Sequence, residues 1–316
     1  MKELNVIQDG ASSWQRVIQL DALSGNALRA SGETLELTEF AKELSECDST
    51  LIHWLVMMTV QSMGLKGLEK ALQKGELPEV VNREYRRRLQ VAELTHADFA
   101  QCIRLEMWGQ ARTWERLRAA KGRAQRDVMW QNVGGSIHWF ESMTFKPNMT
   151  IMENVQLVTP IIQGLEESWA GGIAAAQEAE RLAAVMRDRG KWKNWLNWLH
   201  PNISGRKSLA ITLSSFDHII QKTLQAVILN RCLQCALALR DYEAEEGRLP
   251  ESMSVLVPKY LPAVPEDPFS GAALKWNSST MRIYTVGDDG RDDGGDFDPS
   301  RNMKSQKDWG LVYPRP

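Results

Sequence analysis

Apolar residues recur at helical spacing from the start of the chain to about residue 246, and beyond that point the pattern changes. Trp14, Val17, Ile18, Leu20 and Leu28 suggest a first helix. Leu35, Leu37, Phe40 and Leu44 suggest a second, with Thr38 offering an internal start. Asp48, Ser49 and Thr50 provide capping side chains for a long helix through Leu51, Leu55, Met58, Leu65, Leu68 and Leu72, which Gly75 and Pro78 terminate. A short helix follows over 79–90, and a longer one opens at Thr95 and His96, carrying Phe99, Cys102, Ile103, Met107 and Trp114. Gly134, Gly135 and Pro147 break the stretch 134–148 into a loop with short helical pieces. Helix resumes from Pro160 and ends near Arg189 and Gly190; a tryptophan-rich piece then occupies 191–199.

The last helix is expected over about 208–246, bent within 212–215. On it Ile220, Leu224, Val227, Ile228, Cys232, Cys235, Leu239 and Tyr242 fall on one face at three- and four-residue steps. After Gly247 short β-compatible runs take over, 274–277 and 281–286, joined by a hairpin turn at Asn277-Ser278-Ser279-Thr280. A terminal run, 309–313, reads as an edge strand or as a segment packed across the sheet. The pattern therefore predicts a mainly α protein: a helical bundle over 1–205, then a long helix and a small α+β tail with a short antiparallel sheet over 206–316.

Composition changes this picture little. With 316 residues, 43% hydrophobic and 25% charged, the chain is long enough to bury a large core. A formal net charge of -2 gives no chain-wide drive toward nucleic acid or an anionic membrane. The sum hides segregation: 112–126 is basic, whereas 288–298 carries six aspartates against one arginine. Cys47, Cys102, Cys232 and Cys235 are too few for a disulfide framework. The opening Met1-Lys2-Glu3-Leu4-Asn5 leads into a mixed polar segment, so no secretory signal is visible.

The acidic segment is the candidate site. Asp288, Asp289, Asp292, Asp293, Asp296 and Asp298 alternate with Gly287, Gly290, Gly294 and Gly295. Calcium takes several carboxylate and carbonyl oxygens on a tightly curled turn, which such a sequence can supply. Carboxylates this close repel one another, so an ordered loop favours a bound cation or proton uptake. The EF-hand pattern does not fit, because aligning Gly290 with its glycine puts Thr285 and Gly287 where acidic ligands belong. The other reading is a solvated acidic turn.

Residues 238–296 resemble the C-terminal half of the major pseudopilin of type II secretion systems. The resemblance rests on Gly247-Arg248-Leu249-Pro250, Tyr260-Leu261, Pro265, Asp267-Pro268-Phe269 and Tyr284-Thr285-Val286-Gly287-Asp288-Asp289-Gly290. It implies that Asp289 supplies a carboxylate to a calcium ion and Val286 a backbone carbonyl, with Asp296 or Asp298 closing the site. More of the chain is similar to a broad family of uncharacterised bacterial proteins that join a long helical region, often behind an N-terminal membrane anchor, to this tail. That similarity adds Ala238-Leu239-Arg240-Asp241-Tyr242, Pro265 to Gly271, Arg291-Asp292-Asp293-Gly294-Gly295-Asp296 and the ending Asp308-Trp309-Gly310-Leu311-Val312-Tyr313-Pro314. It implies an extracytoplasmic setting and an unidentified protein partner; no activity comes with it.

Other motifs favour structural roles. The Cys232–Cys235 pair lies inside an apolar helix rather than at a helix start, where thiols are activated. Trp192, Trp195 and Trp198, beside Lys191 and Lys193, form a stripe that packs on the bundle or lies on a membrane surface. Five scattered histidines show no H-E-x-x-H spacing, and no phosphate loop or nucleophile elbow is present. The arginines of 112–126 read as a solvated helix face. The expected function is a non-enzymatic, extracytoplasmic scaffold or interaction protein with a structural calcium site. The alternatives are an enzyme using Glu106 with His138, or Glu166 with Glu167, and a peripheral membrane protein.

Overall fold

The computed structural model describes residues 2–23, 26–46, 50–119, 145–187, 200–298 and 307–314. It is mainly helical with one three-stranded antiparallel sheet. Contacts divide the chain into two compact units, Met1–Asp98 with Gln221–Pro316, and Phe99–Ile220.

The first unit holds α1 (Lys2–Leu23), α2 (Ala27–Glu46), α3 (Leu51–Leu72) and α4 (Glu79–Val91), the opening of α5 (His96–Ala119) and the C-terminal part of α8 (Ile203–Glu246). Leu28, read as part of the first helix, belongs to the second, which starts well before Leu35. Thr38 opens no helix. It sits buried in mid-α2 and returns its hydroxyl to the Thr34 carbonyl at 2.8 Å, so the helix keeps its polar side chain satisfied. α5 opens on a reciprocal cap: Thr95 Oγ1 accepts from the Asp98 amide and Asp98 Oδ2 from the Thr95 amide, both at 3.1 Å.

The second half of α8 departs most from its expected single stripe. From Asn230 to Tyr242 every residue except Arg231 is buried. A helix enclosed on all sides must give each polar side chain a partner, and this one does. Thr223 accepts from Trp54 Nε1 at 3.0 Å, and Asn230 donates to the Leu89 carbonyl at 3.1 Å. Asp241 is paired with Arg86 and accepts from Asn82 Nδ2 at 2.7 Å. Arg240 donates to the carbonyls of Leu72, Gly75 and Pro314.

Beyond α8 a 3-10 turn (Met253–Leu256) leads to β1 (Lys275–Asn277), β2 (Arg282–Thr285) and β3 (Trp309–Val312), in spatial order β1-β2-β3. Pairing Lys275 with Tyr284 and Asn277 with Arg282 closes the hairpin where the sequence places it, and β3 joins antiparallel to β2 with Ile283 opposite Leu311. Asn277 Oδ1 takes the amides of Ser279 and Thr280, which fixes the turn.

The second unit holds α5 from Phe99, α6 (Pro147–Glu167), α7 (Trp169–Arg187) and α8 to Ile220. Helix begins at Pro147, not Pro160, since proline is well suited to the first helical position. Pro160 lies inside α6 on its exposed side, where water can satisfy the carbonyl that loses its donor. The single helix expected after it is two. They separate at Ser168, where the backbones of Gly164 and Gly171 touch so closely that a Cβ on either would collide with the other. α8 begins at Ile203 rather than Ser208 and continues through 212–215, whose hydroxyls bond carbonyls one turn back. The buried Asn202 ahead of it accepts from the Lys146 amide at 2.8 Å and bonds Thr150, joining the starts of α6 and α8. Trp114, Leu209, Phe145 and Ile151 form an apolar cluster in this unit. Most of the loop expected over 134–148, the cap residues Asp48 and Ser49, Cys47, and the Trp192, Trp195 and Trp198 stripe fall outside the described residues.

Candidate cation site in the C-terminal loop

β2 delivers the chain through Val286 into a run of turns at 287–290. Gly287 has φ +67°, and its Cα lies so close to the Lys307 carbonyl that any Cβ would overlap it. Glycine there presses the loop onto the segment leading into β3. That contact brings Asp308 beneath the loop, with 0% of its surface exposed. Asp308 Oδ2 accepts from the amides of Asp293 at 3.1 Å and Gly295 at 2.8 Å. Its Oδ1 is buried and has no hydrogen-bond partner among the described residues. Burial pushes this carboxyl above the usual carboxylate range; the two amides oppose the rise, and the charges of Asp292 and Asp293 add to it.

The predicted ligands are distributed around this group in distinct ways. Val286 is buried and donates its amide to Asp267 Oδ2 at 3.0 Å. Asp289 is exposed and accepts from the Arg291 amide at 3.0 Å, closing its own turn. Asp292 accepts from Tyr284 Oη at 3.1 Å and the Gly294 amide at 3.0 Å, and pairs with Lys275 at 2.9 Å. The Lys275 ammonium and these donors hold Asp292 below its ordinary range. Asp293 Oδ1 lies 3.3 Å from Lys307 Nζ. Asp296 is 4.0 Å from Arg282, and Asp288, Asp296 and Asp298 are exposed.

Lys275, Lys307 and Arg282 thus answer part of the repulsion that the spacing of the aspartates creates. Among the described residues, no three histidine, cysteine, aspartate or glutamate side chains come together closely enough to hold a metal. The exposed aspartates do not converge. The loop instead has a buried acidic floor, supplied by a residue that the motif reading leaves out. Its signal in the sequence is weak: an aspartate just before the last strand reaches the amides of Gly295 and Asp293, 13 and 15 residues earlier, only once β3 has paired with β2.

A second buried carboxylate sits nearby in complete balance. Asp267 accepts from the Phe269 amide at 2.9 Å, Ser270 Oγ at 3.0 Å and the Val286 amide at 3.0 Å. The Asp-Pro-Phe-Ser turn is therefore a structural lock for the end of β2.

The remaining candidates separate cleanly. Cys232 and Cys235 are fully buried, and loss of solvation pushes the Cys232 thiol well up and the Cys235 thiol up to about 12, which disfavours thiolate chemistry. Glu166 is exposed and paired with Arg104, Glu167 is exposed, and His138 lies outside the described residues. Among the described residues no helix is long and apolar enough to cross a membrane. Compared with family models, curated proteins and solved structures, the chain matches none.

Proposed function

We propose that the protein is a non-enzymatic, extracytoplasmic scaffold or interaction protein whose tail carries a structural site for a hard divalent cation, calcium being the best fit. One observation carries this reading: Asp308 Oδ1, a buried carboxylate oxygen with no hydrogen-bond partner among the described residues, lies under a loop rich in aspartate and glycine. An oxygen in that state carries a desolvation cost that a cation, or a proton, removes. Asp308 would be the inner ligand. Asp292 and Asp293, whose charges already act on it, would have to draw in to join it, and the pseudopilin resemblance assigns a further oxygen to the Val286 carbonyl. Calcium suits such a set because it accepts mixed carboxylate and carbonyl oxygens in irregular number. The ion would supply charge neutralisation and fix the loop against β3. The pseudopilin-like order of turns supports the same ion and the same setting.

The test is thermal unfolding of the full chain in calcium, in magnesium and in chelator. Calcium is expected to raise the melting temperature in a concentration-dependent way, magnesium much less, and Asp308→Asn to remove the rise. Superimposable curves in all three solutions would defeat the proposal.

A further inference from the structure

The unit Phe99–Ile220 differs in chemistry from the rest of the chain. Its sequence contains 15 Lys and Arg against 11 Asp and Glu, and eight of the 12 tryptophans. The remaining residues are correspondingly acidic, because the whole chain sums to -2. Within this unit α5 and α6 lie antiparallel, tied near their ends by Arg104 with Glu166 and by Arg118 with Asn148 at 3.1 Å.

Trp108, Arg112 and Arg116 follow at four-residue steps on the solvent side of α5, and all three are exposed. Trp108 retains 59% of its surface, unlike Trp114 in the core. On α6, Met152 at 62% and Val155 at 42% are exposed. Glu115 is the acidic residue between these arginines. The solvent-exposed side chains of these two helices therefore include an indole, two aliphatic groups and guanidinium groups.

From this we infer that the α5–α6 face binds an anionic lipid surface. Each part fits that partner. Tryptophan settles at the headgroup level, Met152 and Val155 gain from shallow burial among acyl chains, and arginine reaches phosphate while its stem stays apolar. Anionic headgroups attract basic residues within a Debye length. Single-stranded nucleic acid would share the guanidinium and indole contacts, but leaves exposed aliphatic side chains unused. The two aliphatic residues decide in favour of lipid.

The experiment is co-sedimentation of the full chain, in chelator, with vesicles of phosphatidylglycerol mixed into phosphatidylcholine and with vesicles of phosphatidylcholine alone. Chelator keeps the reading independent of the tail's cation site. Binding is expected only to the mixed vesicles, falling as salt rises. The double variant Arg112→Glu with Arg116→Glu should weaken it at least tenfold, and Trp108→Ala several-fold, with unchanged circular dichroism because all three positions are exposed. Equal binding to neutral vesicles, or binding by the double variant as tight as the wild type, would overturn the inference. So would loss of binding confined to Trp195→Ala, which would move the contact to the other tryptophans. Capture of a labelled single-stranded oligonucleotide with no vesicle binding would also overturn it, by naming the other anion.

Discussion

The second half of α8 and the loop over 287–298 both lie against buried aspartates, yet they treat them differently. Asp241 on α8 has Arg86 for its charge and Asn82 for its other oxygen. Asp308 under the loop has two amides on one oxygen and, among the described residues, no hydrogen-bond partner on the other. The carboxylate on α8 is fully answered by α4 and belongs to the folding core. The loop is complete on one side only. A binding role should be sought where a buried charge is left half-satisfied, not where acidic residues are most numerous. The crowded, exposed aspartates of the loop illustrate the point, since lysine, arginine and backbone amides already engage several of them.

Substitutions at the two aspartates should push that contrast to its limits. Asp241→Ala leaves the Arg86 guanidinium buried without a counter-charge, and should lower stability by about 3–5 kcal/mol in denaturant unfolding, with or without calcium. An effect below ~1 kcal/mol would mean that Arg86 finds another acceptor. Asp308→Asn should act in the opposite direction. In chelator it removes an uncompensated buried charge, so unfolding should be unchanged or shifted up by roughly 1 kcal/mol. A loss of several kcal/mol would show that Asp308 is as structural as Asp241.

The smallest effect belongs to Asp98. Burial alone would raise its carboxyl, but Lys42 and the Thr95 hydroxyl and amide together hold it below its ordinary value. A carboxylate with a depressed native pKa contributes stability above its unfolded pKa and loses that contribution as pH falls through the native one. Asp98→Asn should therefore flatten part of the acid limb of a stability–pH curve, by less than ~1 kcal/mol because the pair is partly exposed. An unchanged limb would place the ion pair in the negligible class.

Much of the fold is legible in the sequence where the decisive interactions are local. Asn277 dictates the hairpin through its own neighbours, and Thr95 with Asp98 dictates the start of α5. The failures occur where distant residues decide. Nothing near Asn230 or Arg240 announces that α3, α4 and the C-terminal segment will supply acceptors, so a one-sided stripe is the natural expectation for α8. The division at Ser168 depends on two glycines meeting across a bend, a contact that periodicity does not reveal. For the site, Val286 and the aspartates are readable as an acidic glycine-rich turn. Asp308 is not, because its place is set by sheet pairing.

The grip of Arg240 on the carbonyls of Leu72, Gly75 and Pro314 has a practical corollary. Trimming the chain before Tyr313 would strip an acceptor from a buried guanidinium and the phenol from Glu243 in one cut. Shortened versions should be judged for helix integrity before any loss of binding is blamed on missing contacts.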